Sequence, residues 1–277
     1  MSLTGKALWT IERNLDQPLT LGDIAEASGC SKHHLAHAFG AAAGLAVMEY
    51  VRGRRLSEAA KRLAAGTPDI LGLAVDSGYG SHEAFTRAFR ARFGVTPETV
   101  RTRRSIEEIP IMAAIRAPEG GGARLEEPRI VEGKPMTIVG LSEPQSFATN
   151  HTIPAQWQRF MALYGEIPDK ADPVPIGICT DVDEEGNFNY VCGVEVTRVS
   201  EAPRGMSVLR VPAQTYAVFI HRDHVSTIGA TYSAILDHWL PEHGKTAGNG
   251  ASLERHLAGF DPRTGLGGIE IWMPLKN

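Results

Sequence analysis

Three cysteines, Cys30, Cys179 and Cys192, make an odd number with no CxxC pair among them. That excludes a disulfide framework and a cysteine zinc site. Apolar runs are short: none approaches the ~18 uninterrupted residues that a spanning helix needs. The first residues lack the basic, apolar, small-residue order of a secretory signal, and Met1-Ser2-Leu3 carry no weight in this reading. A cytoplasmic chain with no membrane partner is therefore expected. The histidines His221, His224, His238, His243 and His256 match no standard metal-ligand spacing. No phosphate loop or nucleophile–base pair stands out. Hence no metal, no cofactor and no catalytic residue is assigned.

What the sequence does hold is an asymmetry of charge. Residues 1–104 contain 14 Lys and Arg against 10 Asp and Glu, a balance of +4; the remainder contains 14 against 22, a balance of −8. A basic N-terminal part joined to an acidic C-terminal part assigns the contact with polyanions to the first. At 277 residues the chain is long enough for two domains.

Two internal repeats set the organisation. In the first, Ile24-Ala25, Gly29, Leu35, Phe39 and Gly44 are echoed by Leu73-Ala74, Gly78, Phe85, Phe89 and Gly94. Leu21, Ile24 and Ala25 have the i, i+3, i+4 spacing of a helix that buries one face. Gly29 and Gly78 stand at a sharp turn, and Ser31 and Ser81 are N-caps for the helices that follow. Ala46 to Ala65 reads as a long connecting helix ended by Gly66. The pattern predicts an all-α N-terminal domain, 1–104, with two helix-turn-helix units. A linker over 105–125 follows, with one short strand at Ile109–Ile115 and a Pro118-Glu119-Gly120-Gly121-Gly122 stretch.

From 126 to 277 the apolar period becomes two. Thr137 maps onto Thr215, and Val191 onto Ile269, at a constant offset of 78. Each half reads strand, strand, helix, strand, strand. The expectation is an α+β domain of two pseudo-symmetric ββαββ halves with a ligand cleft between them.

A helix-turn-helix lays its second helix in the major groove. With Leu35 and Phe39 inward, Lys32, His33, Ala36 and His37 face out; with Phe85 and Phe89 inward, His82, Glu83, Arg87 and Arg90 face out. Arginine, histidine and glutamate can all bond base edges. Lys32, Arg52, Arg54, Arg55, Lys61, Arg62, Arg90 and Arg92 are candidates for phosphate contacts, and His34 reads as packing or capping. Double-stranded DNA is the expected partner, and a stiff linking helix lets one chain read two adjacent groove segments.

The segment Leu19–Arg104 resembles the DNA-binding domain of the AraC/XylS family, above all in "AVDSGYGSHEAFTRAFRARFGVTPETVR". The resemblance implies that His33, His37, His82, Glu83 and Arg87 fall at DNA-contacting positions. It also implies a transcription regulator that works with RNA polymerase. His33 departs from the tryptophan of some relatives and His37 from a common arginine. From about Glu126 the chain is similar to the GyrI-like effector-binding fold, in its paired halves, "VPAQTYAVFIHRD" and the closing "GGIEIWMPLKN". That implies a small-molecule effector. Alternation in Gly268–Pro274 puts Ile269, Ile271 and Met273 on one face and Glu270 with Trp272 on the other. Glu270 and Trp272 are thus candidates for a cationic or amphipathic effector. Trp157, Phe160, Tyr190, Tyr216 and Trp239 are candidate pocket aromatics, with Tyr164 and Phe219 as further aromatics offered to the cleft. Two alternatives stay open for the C-terminal domain: a hydrolase with Glu270 as general base, and a protein-interaction module.

Overall fold

The computed structural model describes residues 2–115, 125–147, 149–183, 185–198 and 202–276. Its N-terminal part is helical: α1 (Leu3–Arg13), α2 (Leu21–Ser28), α3 (Lys32–Ala43), α4 (Val47–Ala64), α5 (Ile70–Asp76), α6 (His82–Phe93) and α7 (Pro97–Arg103). The local chemistry of each turn is legible. Thr20 opens α2 through a capping box with Asp23. Ser31 and Ser81 accept hydrogen bonds from the His34 and Ala84 amides at the starts of α3 and α6. Gly29 and Gly78 take φ of 76° and 84°, a backbone state that L-residues avoid.

α4 is the divider. Its first turns (Val47, Tyr50, Val51) complete a core with α1–α3, and its later turns (Leu56, Ala59, Ala60, Leu63) complete another with α5–α7. α1 is the element that sequence reading left out. Ser2 caps it, Leu3 is buried in the first core, and Thr4 donates from both its amide and its hydroxyl to Asp237 at 2.8 Å.

No strand forms at Ile109–Ile115. The backbone there finds its partners on α4 side chains, so it has no need of a sheet: Met112 donates to Ser57 Oγ (2.8 Å), Ile115 donates to Tyr50 Oη (3.0 Å), and Arg54 donates to the Met112 carbonyl (2.9 Å). The stretch Pro118-Glu119-Gly120-Gly121-Gly122 lies outside the described residues.

The C-terminal part is one antiparallel sheet of eight strands with helices on one side. The first half runs β1 (Arg129–Gly133), β2 (Met136–Ser146), α8 (Ile153–Leu163), β3 (Ile176–Thr180) and β4 (Asn187–Glu195). The second runs β5 (Ser207–Val211), β6 (Gln214–His221), α9 (Ile228–Ala234), β7 (Ser252–His256) and β8 (Ile269–Pro274). α9 continues through a π-helical turn, Ile235–Trp239, into a last turn at Leu240–Glu242. The strand order is β1-β6-β8-β7-β3-β4-β2-β5. Each half's first strand therefore pairs at the far edge of the other half, and β3 and β7 meet at the centre.

Alternation divides the side chains between two faces. The helical face carries Val139, Phe188, Tyr190, Cys192 and Val194 under α8, and Ala217, Phe219, Ile271 and Met273 under α9. The opposite, open face carries Ile138, Ile176, Ile178, Val191, Tyr216, Val218, Leu253 and Trp272. α9 has a second neighbour, because Ile235, Leu236, Trp239 and Leu240 share one continuous apolar core with α1, α2 and α3.

The N-terminal part also holds a buried ion pair. The Arg54 side chain is 7% exposed and grips Glu12 through two bonds of 2.8 Å, with Glu58 at 3.0 Å. Arg54 is thus a fastener between α1 and α4, not the phosphate contact its charge suggested; Arg55 likewise donates to the Leu15 and Gln17 carbonyls. Burial alone would raise the Glu12 pKa, but bonds from Arg54 and Tyr50 outweigh it and hold the carboxyl below its ordinary value. Arg54→Met leaves that carboxylate unpaired and should cost about 3 kcal/mol, read from the denaturant midpoint. A depressed carboxylate contributes stability above its unfolded pKa and loses it as pH falls through the folded value. The wild-type advantage over Arg54→Met should therefore shrink on acidification below about pH 4.5; a difference that holds down to pH 2 would reject the assignment.

Candidate functional site

The second DNA-reading candidate, α6, is built as a one-sided helix. Phe85 and Phe89 are fully buried and Phe93 nearly so, with neighbouring ring centroids 5.6 Å and 4.8 Å apart. His82, Glu83, Arg87 and Arg90 are exposed and line an open groove with Thr86 and Thr96. Glu83 is held below the ordinary carboxylate range by its own backbone amide and the Ser81 hydroxyl, so it steadies the start of the helix it belongs to. Arg87 and Arg90 are the extended cations of this row.

α3 is different, and here the expectation of a free outward row needs correction. Lys32 is exposed, but Ala36 is 3% exposed, and His33 and His37 are half-buried. The C-terminal domain covers them. His33 meets the Val182 backbone, the His37 ring lies 6.3 Å from Phe147, and His34 Nε2 lies 3.2 Å from the Leu236 carbonyl. Burial, and next to it the neighbouring His33 and His34, lowers the His37 pKa to about 3. Helical spacing finds which side chains leave the helix-turn-helix core; it does not reveal a second body waiting on that side.

The proposed effector residues separate onto opposite faces of the sheet. Glu270, Trp272 and Tyr216 lie on the open face: Val218 pairs with Trp272 and Ile220 with Glu270 across β6 and β8. There Glu270 is already satisfied, by Arg129 at 2.5 Å and by the Trp272 indole N–H at 2.9 Å. The Arg255 and Arg129 guanidinium carbons lie 4.9 Å and 5.9 Å from the Trp272 ring centre, which fills the cation–π position that a ligand would take. Parity along β8 separated Glu270 from the core, but α8 and α9 both lie on the core side. Glu270 as a pocket carboxylate, or as a general base, is thereby withdrawn. Phe160 is fully buried on the inner face of α8, and Trp239 is 9% exposed in the core against Phe219.

Trp157 and Tyr190 do converge, and the group they converge on is Glu254. From the middle of β7 its carboxylate accepts from Tyr190 Oη at 2.6 Å and from Tyr232 Oη at 3.1 Å. Trp157 donates its indole N–H to Tyr190 Oη at 3.3 Å. α8 thus supplies Trp157, α9 supplies Tyr232, and the two central strands and β4 supply the floor. The Tyr190 hydroxyl can reach Glu254 because position 177, directly opposite Glu254 in β3, is glycine: a Cβ there would lie 2.2 Å from Tyr190 Oη. His256, two residues on, stacks on Phe260 at 4.0 Å and lies 5.0 Å from Trp157. Burial raises the Glu254 pKa against the lowering effect of the two tyrosine bonds, and lowers that of His256 to about 4. The result is a half-buried carboxylate ringed by aromatics.

A sequence signal for Glu254 existed in Ser252-Leu253-Glu254-Arg255-His256, where three polar residues alternate through a strand. It becomes informative only once β7 is known to sit at the sheet centre beneath two helices.

The family model for the GyrI-like small molecule binding domain matches residues 126–276, and a helix-turn-helix domain model matches residues 24–103. The chain is 36% identical over 152 residues to the transcriptional regulator BrlR of Pseudomonas aeruginosa, a match covering 53% of this chain and 54% of that protein. It is 25% identical over 286 residues to the right origin-binding protein of Escherichia coli K12, covering 98% and 96%. It is 38% identical over 91 residues to the multiple antibiotic resistance protein MarA of Salmonella typhimurium, covering 33% and 72%. With its exposed α6 row, its first helix-turn-helix around α3 and its aromatic-ringed carboxylate, the chain belongs to the AraC-type DNA-binding transcription regulators that carry a C-terminal GyrI-like small-molecule-binding domain.

Proposed function

We propose that the effector is a flat or bulky aromatic cation, held between α8 and α9 with its positive charge on Glu254. The observation that carries this is the convergence of Trp157, Tyr190 and Tyr232 on that one carboxylate. A charge taken out of water needs a partner; the tyrosine hydroxyls supply it in the free protein, and a cation would supply it better. The aromatic faces add cation–π attraction. Binding rather than turnover is the favoured reading, since Glu254 is engaged by two phenol hydroxyls, which are poor nucleophiles at neutral pH, and not by an activated one.

On the DNA side we assign base contacts to His82, Arg87 and Arg90 of α6 and to Lys32, His33 and His37 of α3. Glu83 and Ala36 complete the two rows. Residues 1–104 then form the DNA-binding domain and 126–277 the effector domain. The regulator acts in the cytoplasm at promoters, with RNA polymerase as its downstream partner. Among the described residues no helix is long and apolar enough to cross a membrane, in keeping with that setting.

Titration with tetraphenylphosphonium, followed by calorimetry, tests the cleft. Glu254→Gln should weaken binding at least tenfold, while a neutral aromatic of the same shape should be indifferent to the change. Binding of the cation needs the ionised carboxylate, so affinity should fall as pH drops through the raised Glu254 pKa. The free chain should respond with the opposite sign, because a raised carboxyl pKa favours the folded state at lower pH. Equal affinity of wild type and Glu254→Gln at pH 8 would remove Glu254 from the site.

For DNA, a duplex enriched from a random pool by the wild-type chain is the probe. Arg87→Ala should lose about 1–3 kcal/mol of affinity and relax the preference at one base position if Arg87 reads a base. Uniform weakening across sequences would reassign it to phosphate, and no change would remove it.

A further inference from the structure

α3 and α6 are counterparts in the repeat, yet they meet different surroundings. Beyond α6 lies solvent. Beyond α3 lies the helix of the effector domain's second half, and the contact is built, with polar and apolar parts.

Its apolar part is close packing. Leu35, Ala38 and Phe39 bury one side of α3 in the helix-turn-helix core, while Ile235, Leu236 and Trp239 continue that same core on the other side. Phe147, just beyond the end of β2, lies flat on α3 where residue 40 has no side chain; a Cβ at Gly40 would stand 2.2 Å from its ring. The crevice left between His33 and His37 on one side and Leu236, Ala247, Gly248 and Met273 on the other encloses only about 10 Å³, too little for more than a single water. Its polar part fixes the register. Asp237 accepts from the Thr4 amide and hydroxyl, and His34 lies at the Leu236 carbonyl.

We infer that the effector domain is an intramolecular cover for the first DNA-reading helix, and that α9 with its π-helical turn is the part that couples the cover to the cleft. This rests on the assignments of α3 to DNA and of Glu254 to the effector made above. One short helical segment presents Tyr232 to Glu254 and, four and five residues later, Leu236 and Asp237 to α3 and α1. A cation that takes the Glu254 carboxylate displaces the Tyr232 hydroxyl from it. Tyr232 and the segment behind it then lose the bond that holds them against β7. The second contact, Leu236 and Asp237, sits inside the π-helical turn that begins three residues after Tyr232, and such a turn is an irregular place in a helix, common at functional sites. Covered and uncovered states are thereby biased by ligand, as differential affinity requires. By reciprocity, DNA that captures α3 raises the effector's affinity by the same factor.

The test locks and unlocks the cover in the full chain. In Gly40→Cys/Phe147→Cys the two new thiols face each other across the contact. The native thiols compete poorly, since burial pushes Cys30 up to about 11 and raises Cys179 and Cys192 further. After mild oxidation, with the cross-link confirmed by mass, affinity for the duplex enriched by the wild-type chain should fall at least tenfold and return on reduction. Phe147→Ala, which loosens the same contact, should bind that duplex several-fold more tightly than wild type. Equal DNA affinity in oxidised and reduced protein overturns the cover. Coupling is read by hydrogen exchange of the α3 amides on adding tetraphenylphosphonium: exchange should accelerate in wild type and stay unchanged in Glu254→Gln. If the cation gives a heat of binding but leaves α3 exchange unchanged, the coupling is wrong. If it gives no heat at all, the cleft assignment has failed, and the cross-link still decides the cover on its own.

Discussion

The constraint on which this structure turns is that one apolar core is shared by two domains. Ile11, Leu21, Ile24, Leu35 and Phe39 from the N-terminal helices, and Phe219, Ile235, Leu236, Ile271 and Met273 from the sheet and its helix, form a single cluster. Fully burying each such side chain is worth about 1.5–3 kcal/mol relative to leaving it exposed. The first helix-turn-helix and the second half of the effector domain therefore support one another. The second helix-turn-helix keeps a core of its own around Phe85, Phe89 and Leu63, and α4 runs through both. The protein is divided energetically at a different place from where its sequence divides it: α1–α3 go with the sheet, and α5–α7 stand apart.

Most of the fold was legible because it is written in short-range chemistry. Both helix-turn-helix units announce themselves by Gly29 and Gly78 at their turns and Ser31 and Ser81 at their caps. The ββαββ repeat shows in the spacing of 78 between Thr137 and Thr215. Two misses share another cause. α1 was passed over because its value lies in what it touches, Asp237 being 233 residues away. The stretch Ile109–Ile115 looks like a strand in isolation, but Ser57, Tyr50 and Arg54 supply the bonds that a neighbouring strand would have given.

The site was legible only in part. Parity along a strand is a local property, so Glu270 and Trp272 were rightly kept off the core side of β8. Which side of the sheet the helices cover is a property of the whole chain, and that decides where a ligand can enter. Glu254 lies on the covered side and Glu270 on the other, although the two strands are neighbours. The same reasoning explains α3. Its amphipathic pattern was read against the helix-turn-helix alone, whereas the shared core continues past the helix on its other side, with Ala36 and Gly40 small because something lies close against them.

The exchange of edge strands has a consequence for synthesis. β1 completes its pairing only with β6, more than 80 residues later, and Thr4 of α1 waits for Asp237, which leaves the ribosome 233 positions after it. Contacts of such long sequence separation slow folding, and apolar surface that waits is prone to aggregate. The α5–α7 unit has no such wait, its core lying within residues 56–111. The nascent chain thus carries a finished second helix-turn-helix and an unfinished first one until β8, which brings Ile271 and Met273 to the shared core, is in place.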